Sequence, residues 1–319
     1  MCVTVLISLN TRQCSTYKRE KNAAILINLG QEVNLPLWDR YVRNIEVSGI
    51  SSDIYVNARS IEIVKSALSV FGLRTKYTIQ SVNMGMDIGG FFISLMNSRS
   101  VCTKYDFIMK LHSKRDTKWM RKLVDPLLGV PSALRHLSNL FKRHDTGQVF
   151  VINTRPDPER GFPERLLLSF ELGDTETLAV NTVLDDKILA SLGIDFKRTE
   201  RFFMAGTMFA LSHDLLTRIL PSSKLSSFLF TLNTPTTFDA HWFSLMTRNC
   251  SAASELELPG NSLFAHHKPG YLPDGQKEHG WERVLSYLSP ALGLQTYVMH
   301  RNRRGDWTEI SLRDFIATS

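Results

Sequence analysis

Apolar positions along this chain follow two rhythms. Short unbroken runs occur at Ala23 to Leu29 (AAILINL), Asp53 to Ala58 (DIYVNA), Tyr77 to Val82, Tyr105 to Leu111 and Gln148 to Asn153 (QVFVIN). Runs of that length predict strands, and the continuous one at residue 23 predicts a strand buried on both faces of a parallel sheet. Between the runs, apolar residues recur at helical spacing. After a loop at Gly30 to Asn34, Pro36 suits the first turn of a helix that carries Leu37, Tyr41, Val42 and Ile45 on one side. Ser60 to Phe71 predicts a second helix. Phe91, Phe92, Leu95 and Met96 predict a third, beginning near Asp87. Trp119 to Leu128 and Ala133 to Phe141 follow, parted by Gly129-Val130-Pro131. Strand and helix alternating at this spacing predict a Rossmann-like, mainly parallel sheet flanked by helices.

The second half is less regular. The segment 154 to 174 is rich in Pro, Asp, Glu, Arg and Gly and predicts a long loop, either a lid over a site or a surface insertion. Thr175 to Leu192 predicts a helix, Phe202 to Leu211 a strand or strand pair, and Asp214 to Ile219, Phe238 to Met246 and Gly280 to Leu288 further helices. His300 to Arg304 is a basic cluster ahead of a short amphipathic Leu312-Phe315-Ile316 segment. The expected division is an appendage at 1–22, one α/β domain at 23–290 and a basic tail at 291–319. Within the domain, a donor half would run to about residue 150 and an acceptor or catalytic half would follow.

Composition narrows the class without choosing it. The chain has 319 residues, 43% hydrophobic and 22% charged, which is ordinary for a globular protein. A net charge of +7 favours polyanions, nucleotide phosphates or an anionic membrane face. Cys2, Cys14, Cys102 and Cys250 are scattered, so neither a zinc ribbon nor a disulfide scaffold is supported, and a reducing compartment is the default. The apolar run Val3 to Leu9 is too short to span a bilayer and has no basic stretch before it. The expectation is a cytoplasmic protein that can be peripheral to a membrane.

Four islands carry candidate chemistry. They are Asn83-Met-Gly-Met-Asp-Ile-Gly-Gly-Phe-Phe, Tyr105-Asp-Phe-Ile-Met-Lys-Leu-His-Ser-Lys-Arg, Ala205-Gly-Thr-Met-Phe and Asp274-Gly-Gln-Lys-Glu-His-Gly-Trp-Glu-Arg. The first two put a glycine-bearing turn before a helix and a charged loop after a strand. In open α/β sheets such places, beside helix N-termini, take phosphorylated ligands. Taken singly, glycines after a strand are turn formers and a Lys-Arg-Asp run is a solvated loop.

In this order, and with Leu127-Leu128-Gly129 between the second and third, the islands resemble the rhamnan synthesis F (RgpF-like) family of polysaccharide-assembly glycosyltransferases. The resemblance covers roughly residues 23 to 290. It implies a GT-A-like fold and transfer of rhamnose or a similar sugar from a nucleotide-sugar donor to a glycan or lipid-linked glycan acceptor. In the GT-A fold the fourth strand ends in an Asp-x-Asp that holds a metal on the donor diphosphate. Here His112-Ser113-Lys114 takes that place. A hard cation prefers carboxylate oxygens, whereas Lys114 and Arg115 can neutralise a diphosphate directly. The expectation is donor binding with no cofactor required and no metal ligands, a divalent metal being the less favoured alternative.

The resemblance assigns Asn83, Gly85, Asp87, His112, Lys114 and Arg115 to the donor. Asp87 either caps the helix that begins after it or hydrogen-bonds the donor sugar or ribose. Gly85 and Gly89 would allow close backbone approach or a positive φ. His112 is read as a hydrogen-bonding residue before a ligand. Asp274, then Glu282, then His279 are the candidates for the base that takes the acceptor hydroxyl proton. His279, Glu282 and Arg283 fall at i, i+3 and i+4, so they can share a helix face, where a Glu–Arg pair is the structural alternative. Gly206 and Thr207 would floor the acceptor site.

Two other classes stay open at this stage. A catalytically inactive glycan-assembly scaffold fits the missing Asp-x-Asp. A basic nucleic-acid-binding protein fits the charge, but no helix carries a basic stripe and no zinc-finger or ribonucleoprotein pattern occurs, so no nucleic acid is expected. A dinucleotide-dependent dehydrogenase is disfavoured, because Asn83 to Gly90 lacks the G-x-G-x-x-G spacing.

Overall fold

A computed structural model of the chain describes residues 22–30, 33–58, 60–72, 75–79, 86–97, 105–114, 116–151, 166–168, 185–186, 188–197, 201–204, 208–219, 277–301 and 307–318. The first half follows the predicted alternation. It runs β1 (Ala23–Leu29), α1 (Leu35–Val47), β2 (Ser52–Ala58), α2 (Ile61–Phe71), β3 (Lys76–Ile79), α3 (Met86–Asn97), β4 (Phe107–His112), α4 (Thr117–Leu128), α5 (Pro131–Leu140) and β5 (Thr146–Val151). There follow β6 (Leu166–Leu168), β7 (Phe202–Met204), β8 (Phe209–Ser212), α6 (His213–Ile219), α7 (Lys277–Ala291), β9 (Gln295–Arg301), β10 (Trp307–Ser311) and α8 (Leu312–Thr318).

The main sheet has eight strands in the order β10-β9-β5-β8-β4-β1-β2-β3. Its pairings β1–β2, β1–β4, β2–β3 and β5–β9 are parallel, and only β8 and β10 run against the rest. The molecule is therefore an α/β protein built on a mainly parallel sheet flanked by helices. β1 lies inside the sheet, between β4 and β2, and is buried on both faces apart from Asn28, as its apolar run requires.

The helices divide between the faces for a topological reason. The chain steps outward from β1 to β2 to β3 through α1 and α2, then returns past β1 through α3 to reach β4. Right-handed crossovers in opposite directions place their helices on opposite faces. One core accordingly joins Ile25, Ile27 and Met109 to Trp38, Tyr41, Val64, Leu123 and Leu137 from α1, α2, α4 and α5. The other joins Leu26, Ile108 and Phe209 to Phe92, Leu215, Trp281, Leu285 and Phe315 from α3, α6, α7 and α8.

Local signals fix several boundaries. Asn34 caps α1 by accepting from the Leu37 N–H at 3.1 Å, with Pro36 in the first turn. Ser60 does the same for α2, accepting from Ile63 N–H at 3.3 Å, so it precedes the helix. Pro131 opens α5 and does not merely break the chain.

The structure differs from the sequence expectation in two places. Phe202 to Leu211 divides between sheets, β7 pairing with β6 and β8 entering the main sheet between β4 and β5. The segment set apart as a tail supplies β9, which is parallel to β5, and β10. The boundary at residue 290 thus does not coincide with the edge of the sheet. The reason is packing: Val298 and Met299 are buried and join opposite cores, so this segment completes both faces despite the basic residues beside it. The predicted helix at 238–246 and the predicted loop at 154–174, except β6, lie outside the described residues.

Candidate functional site

The sheet reverses its order of addition between β1 and β4. In open α/β sheets the crevice outside the carboxyl ends of the strands at such a point is where ligands bind. The ends concerned are Asn28-Leu29-Gly30 and His112-Ser113-Lys114. They are stitched together: Ser113 N–H donates to the Asn28 carbonyl at 2.9 Å, and Gly30 N–H donates to Ser113 Oγ at 2.7 Å. Beyond them, Asn34 Nδ2 reaches Thr117 Oγ1 at 3.4 Å, so α1 and α4 begin side by side. Asp116 caps α4 by accepting from Lys118 N–H at 2.8 Å. Because α3 returns antiparallel to the strands, it also begins at this edge, and the dipoles of three helices favour negative charge there.

The α3-facing side of the sheet changes character at this end. Ala24, Leu26, Tyr55 and Ile108 belong to the apolar core, but further along the same faces of the same strands stand Asn28, Asn57, Lys110 and His112. Asn57 is 0% exposed, Lys110 1% and His112 2%. Burying such groups is costly unless they are hydrogen-bonded, so this patch is not explained by packing alone. Asn57 Nδ2 donates to Asn28 Oδ1 at 2.9 Å. Lys110 Nζ lies 5.7 Å from the centre of the Phe209 ring, a cation–π distance. The first half of α3 closes over the patch at Gly90, where a Cβ would come 2.6 Å from Asn28 Oδ1. Only glycine allows this approach.

Several predicted site residues come to this edge. His112 is the last residue of β4, buried in the polar patch, and Lys114 is half-buried two residues beyond. Asp87 stands in the first turn of α3, which begins one residue earlier at Met86, so it lies inside the helix and not at the cap position. α7 precedes β9, which runs parallel to β1, so α7 too starts at the carboxyl edge. Trp281 meets Phe92 of α3 edge-on, with ring centroids 5.1 Å apart. His279 lies in the first turn of α7 and Glu282 is half-buried one turn on. Asn83, Gly85, Arg115, Gly206, Thr207 and Asp274 lie outside the described residues.

Arg283, next to Glu282 on α7, acts by its charge on Asp185, a buried carboxyl that also feels Arg201. Burial dominates, pushing Asp185 up to about 8 against the pull of both guanidinium groups. At the opposite end of β4, Tyr105 O–H donates to Asp53 Oδ2 at 2.8 Å and lies 2.9 Å from the Tyr55 hydroxyl. Burial foremost, with these partners, pushes the Tyr105 phenol up.

Asn28, Asn57 and Lys110 were not singled out from the sequence, although each leaves a signal. Each is a polar residue inside an otherwise apolar strand, near its carboxyl end: AAILINL, DIYVNA and FIMKLH. Among the described residues, no group of three or more His, Cys, Asp or Glu side chains gathers as a metal site. Among the same residues, no helix is long and apolar enough to cross a membrane.

No family model and no curated protein matches the chain. The resemblance to the rhamnan synthesis F family therefore rests on the quoted islands. Solved structures similar to this chain include glucosyl-3-phosphoglycerate synthase from Mycobacterium tuberculosis in complex with phosphoglyceric acid. That match has 13% identity and a TM-score of 0.25, covering 62% of this chain and 59% of the other. A mycobacterial protein matches at 14% identity and a TM-score of 0.33, covering 91% of this chain and 83% of the other. Scores this low carry no argument about fold or activity, and the case for function stands on the site.

Proposed function

We propose that the protein is a GT-A-like glycosyltransferase that binds a nucleotide-sugar donor in the crevice between the ends of β1 and β4. The observation that carries the reading is the gathering of three separate islands at one end of the sheet. They are the end of β4, the start of α3 and the start of α7. That end combines helix N-termini with Lys114, a suitable environment for a diphosphate. Arg115, Asn83 and Gly85 are assigned to the same donor by the motif resemblance.

In an inverting transfer, a carboxylate takes the acceptor hydroxyl proton as the oxygen attacks the anomeric carbon. The bond from that carbon to the diphosphate breaks, and the diphosphate leaves with the electron pair. Asp274 and Glu282 are the proposed bases, followed by His279, with Gly206 and Thr207 proposed for the acceptor. Lys114 and Arg115 stabilise the leaving charge, so the proposal requires no metal. Rhamnose or a similar sugar is the proposed donor sugar, and a glycan or lipid-linked glycan the proposed acceptor.

Thermal shift across nucleoside diphosphates and nucleotide sugars tests this, with EDTA and with Mg²⁺ or Mn²⁺, because a ligand of the folded state raises its stability. A shift with one nucleoside diphosphate that survives EDTA is expected. A shift only with metal overturns the role given to Lys114 and Arg115. No shift with any nucleotide overturns the transferase reading.

A further inference from the structure

Beside α7 lies a pocket of about 340 Å³. Its walls come from the chain just before β7 and include Asp186, Ala190, Ile194, Asp195, Phe196 and Arg201. No motif singled out in the sequence includes these residues. We propose that this pocket is a subsite for one neutral sugar unit of the acceptor glycan, which rests on the transferase function proposed above.

The chemistry of the walls selects the ligand. Arg201 has a side chain only 8% exposed. Its Nη1 lies 2.7 Å from Asp186 Oδ1, and its Nη2 donates to the Phe196 carbonyl at 2.9 Å. The guanidinium charge is thus already balanced, and the exposed Asp195 adds a carboxylate at the rim. A phosphate or other anion is disfavoured by these two acids. A purely apolar ligand is disfavoured too, because it would desolvate them without hydrogen bonds in return. A sugar ring offers hydroxyls to the carboxylates and C–H faces to the Ile194 and Phe196 side. The volume falls at the lower end of ordinary small-molecule sites, roughly 300–1,000 Å³.

The walls are also held in place. The Phe196 ring stacks on Tyr287 of α7 with centroids 5.6 Å apart and planes at 19°. The adjoining Asp185 is buried, 4% exposed, and interacts with the Tyr287 hydroxyl. Tyr287 follows Glu282 on the same helix, so the two stand about 7.5 Å apart along its axis. A sugar seated against Phe196 would lie beside the helix that carries a proposed base, which is where an acceptor residue next to the reacting one belongs.

The test uses the full-length protein and neutral oligosaccharides, by glycan array and then by saturation-transfer NMR. Two variants at exposed positions are compared with the native chain: Ala190→Trp, which fills the pocket, and Asp195→Ala, which removes a rim acceptor. Glycan binding by the native chain is expected, with a loss of about tenfold or more in each variant and an unchanged nucleotide-induced thermal shift. If Ala190→Trp fails to fold, Asp195→Ala decides alone. Equal glycan binding in native and variant chains overturns the subsite, and so does a native chain that binds no glycan. If the nucleotide shift is present in either of those cases, the transferase reading survives; its absence from the native chain is what sinks that reading.

Discussion

Gly90 of α3 stands directly over the side-chain amide of Asn28 on β1, so closely that a Cβ at position 90 would lie 2.6 Å from Asn28 Oδ1. The same oxygen accepts from Asn57 at 2.9 Å, which pins the amide in place. α3 therefore rests on a polar pair at the end of the sheet, and its close approach to β1 at Gly90 is set by that contact.

Gly90→Ala pits two effects against each other. Alanine gains about 1 kcal/mol of helix propensity over glycine. Overpacking costs roughly 1–3 kcal/mol, and here the obstacle is a hydrogen-bonded amide, so a net loss is expected. In an Asn28→Ala background the obstacle is gone and the same change should be neutral or stabilising. Denaturant unfolding of the four-member cycle reads this as a coupling energy of about 1 kcal/mol or more. Additive effects would show that Gly90 is not there for the approach.

Lys114→Ala addresses the donor site. The residue is half-buried beyond β4, so the variant's own thermal unfolding is measured first as the baseline. The thermal shift given by a nucleoside diphosphate should fall sharply, because a charge-assisted contact to phosphate is lost. A full shift in the variant would remove Lys114 from the proposed site.

Asp185 makes stability depend on pH in an unusual direction. Its folded value, about 8, lies above the ordinary carboxylate value of 3.8, so between those limits the folded chain holds a proton that the unfolded chain releases. The contribution is fully present below pH 3.8 and is lost as pH rises toward 8. The slope from this one group can reach about 1.4 kcal/mol per pH unit. Asp185→Asn should flatten that part of the profile and leave the variant relatively more stable at alkaline pH. Parallel profiles for the two chains would mean the carboxyl is ionised when folded.

Asn44→Ala separates folding from binding. Asn44 Nδ2 donates to the carbonyls of Leu128 at 2.8 Å and Gly129 at 2.9 Å, closing the end of α4 against α1. Its loss should cost about 1–2 kcal/mol, from hydrogen bonds of ordinary strength. This end is opposite the crevice, so nucleotide binding should persist at temperatures where the variant is folded. A variant that folds but no longer binds would contradict the placement of the site.

Much of the frame is written locally. The runs at Ala23, Asp53 and Phe107 are apolar enough to be buried strands, and Asn34, Pro36 and Ser60 mark helix starts by capping chemistry that needs only a few neighbouring residues. Lys114 was visible as a charged residue beyond a strand end, and Glu282 through its helical spacing from His279. Phe202 to Leu211 was visible as apolar, but not as two strands of different sheets, because alternation says nothing about the partner a strand will choose.

The sequence alone thus determined the order of strands and helices through residue 151, since hydrophobic period and cap residues act over one element at a time. Tertiary structure decided which strands are neighbours. Only the return of α3 past β1 makes the end of β4 adjoin the end of β1, and only that adjacency turns Asn28, Asn57, Lys110 and His112 into one buried patch. Tertiary structure also drew β9 out of a basic tail and into the sheet, because Val298 and Met299 fill both cores. Contacts between residues dozens of positions apart depend on closing the chain on itself, which no local pattern encodes.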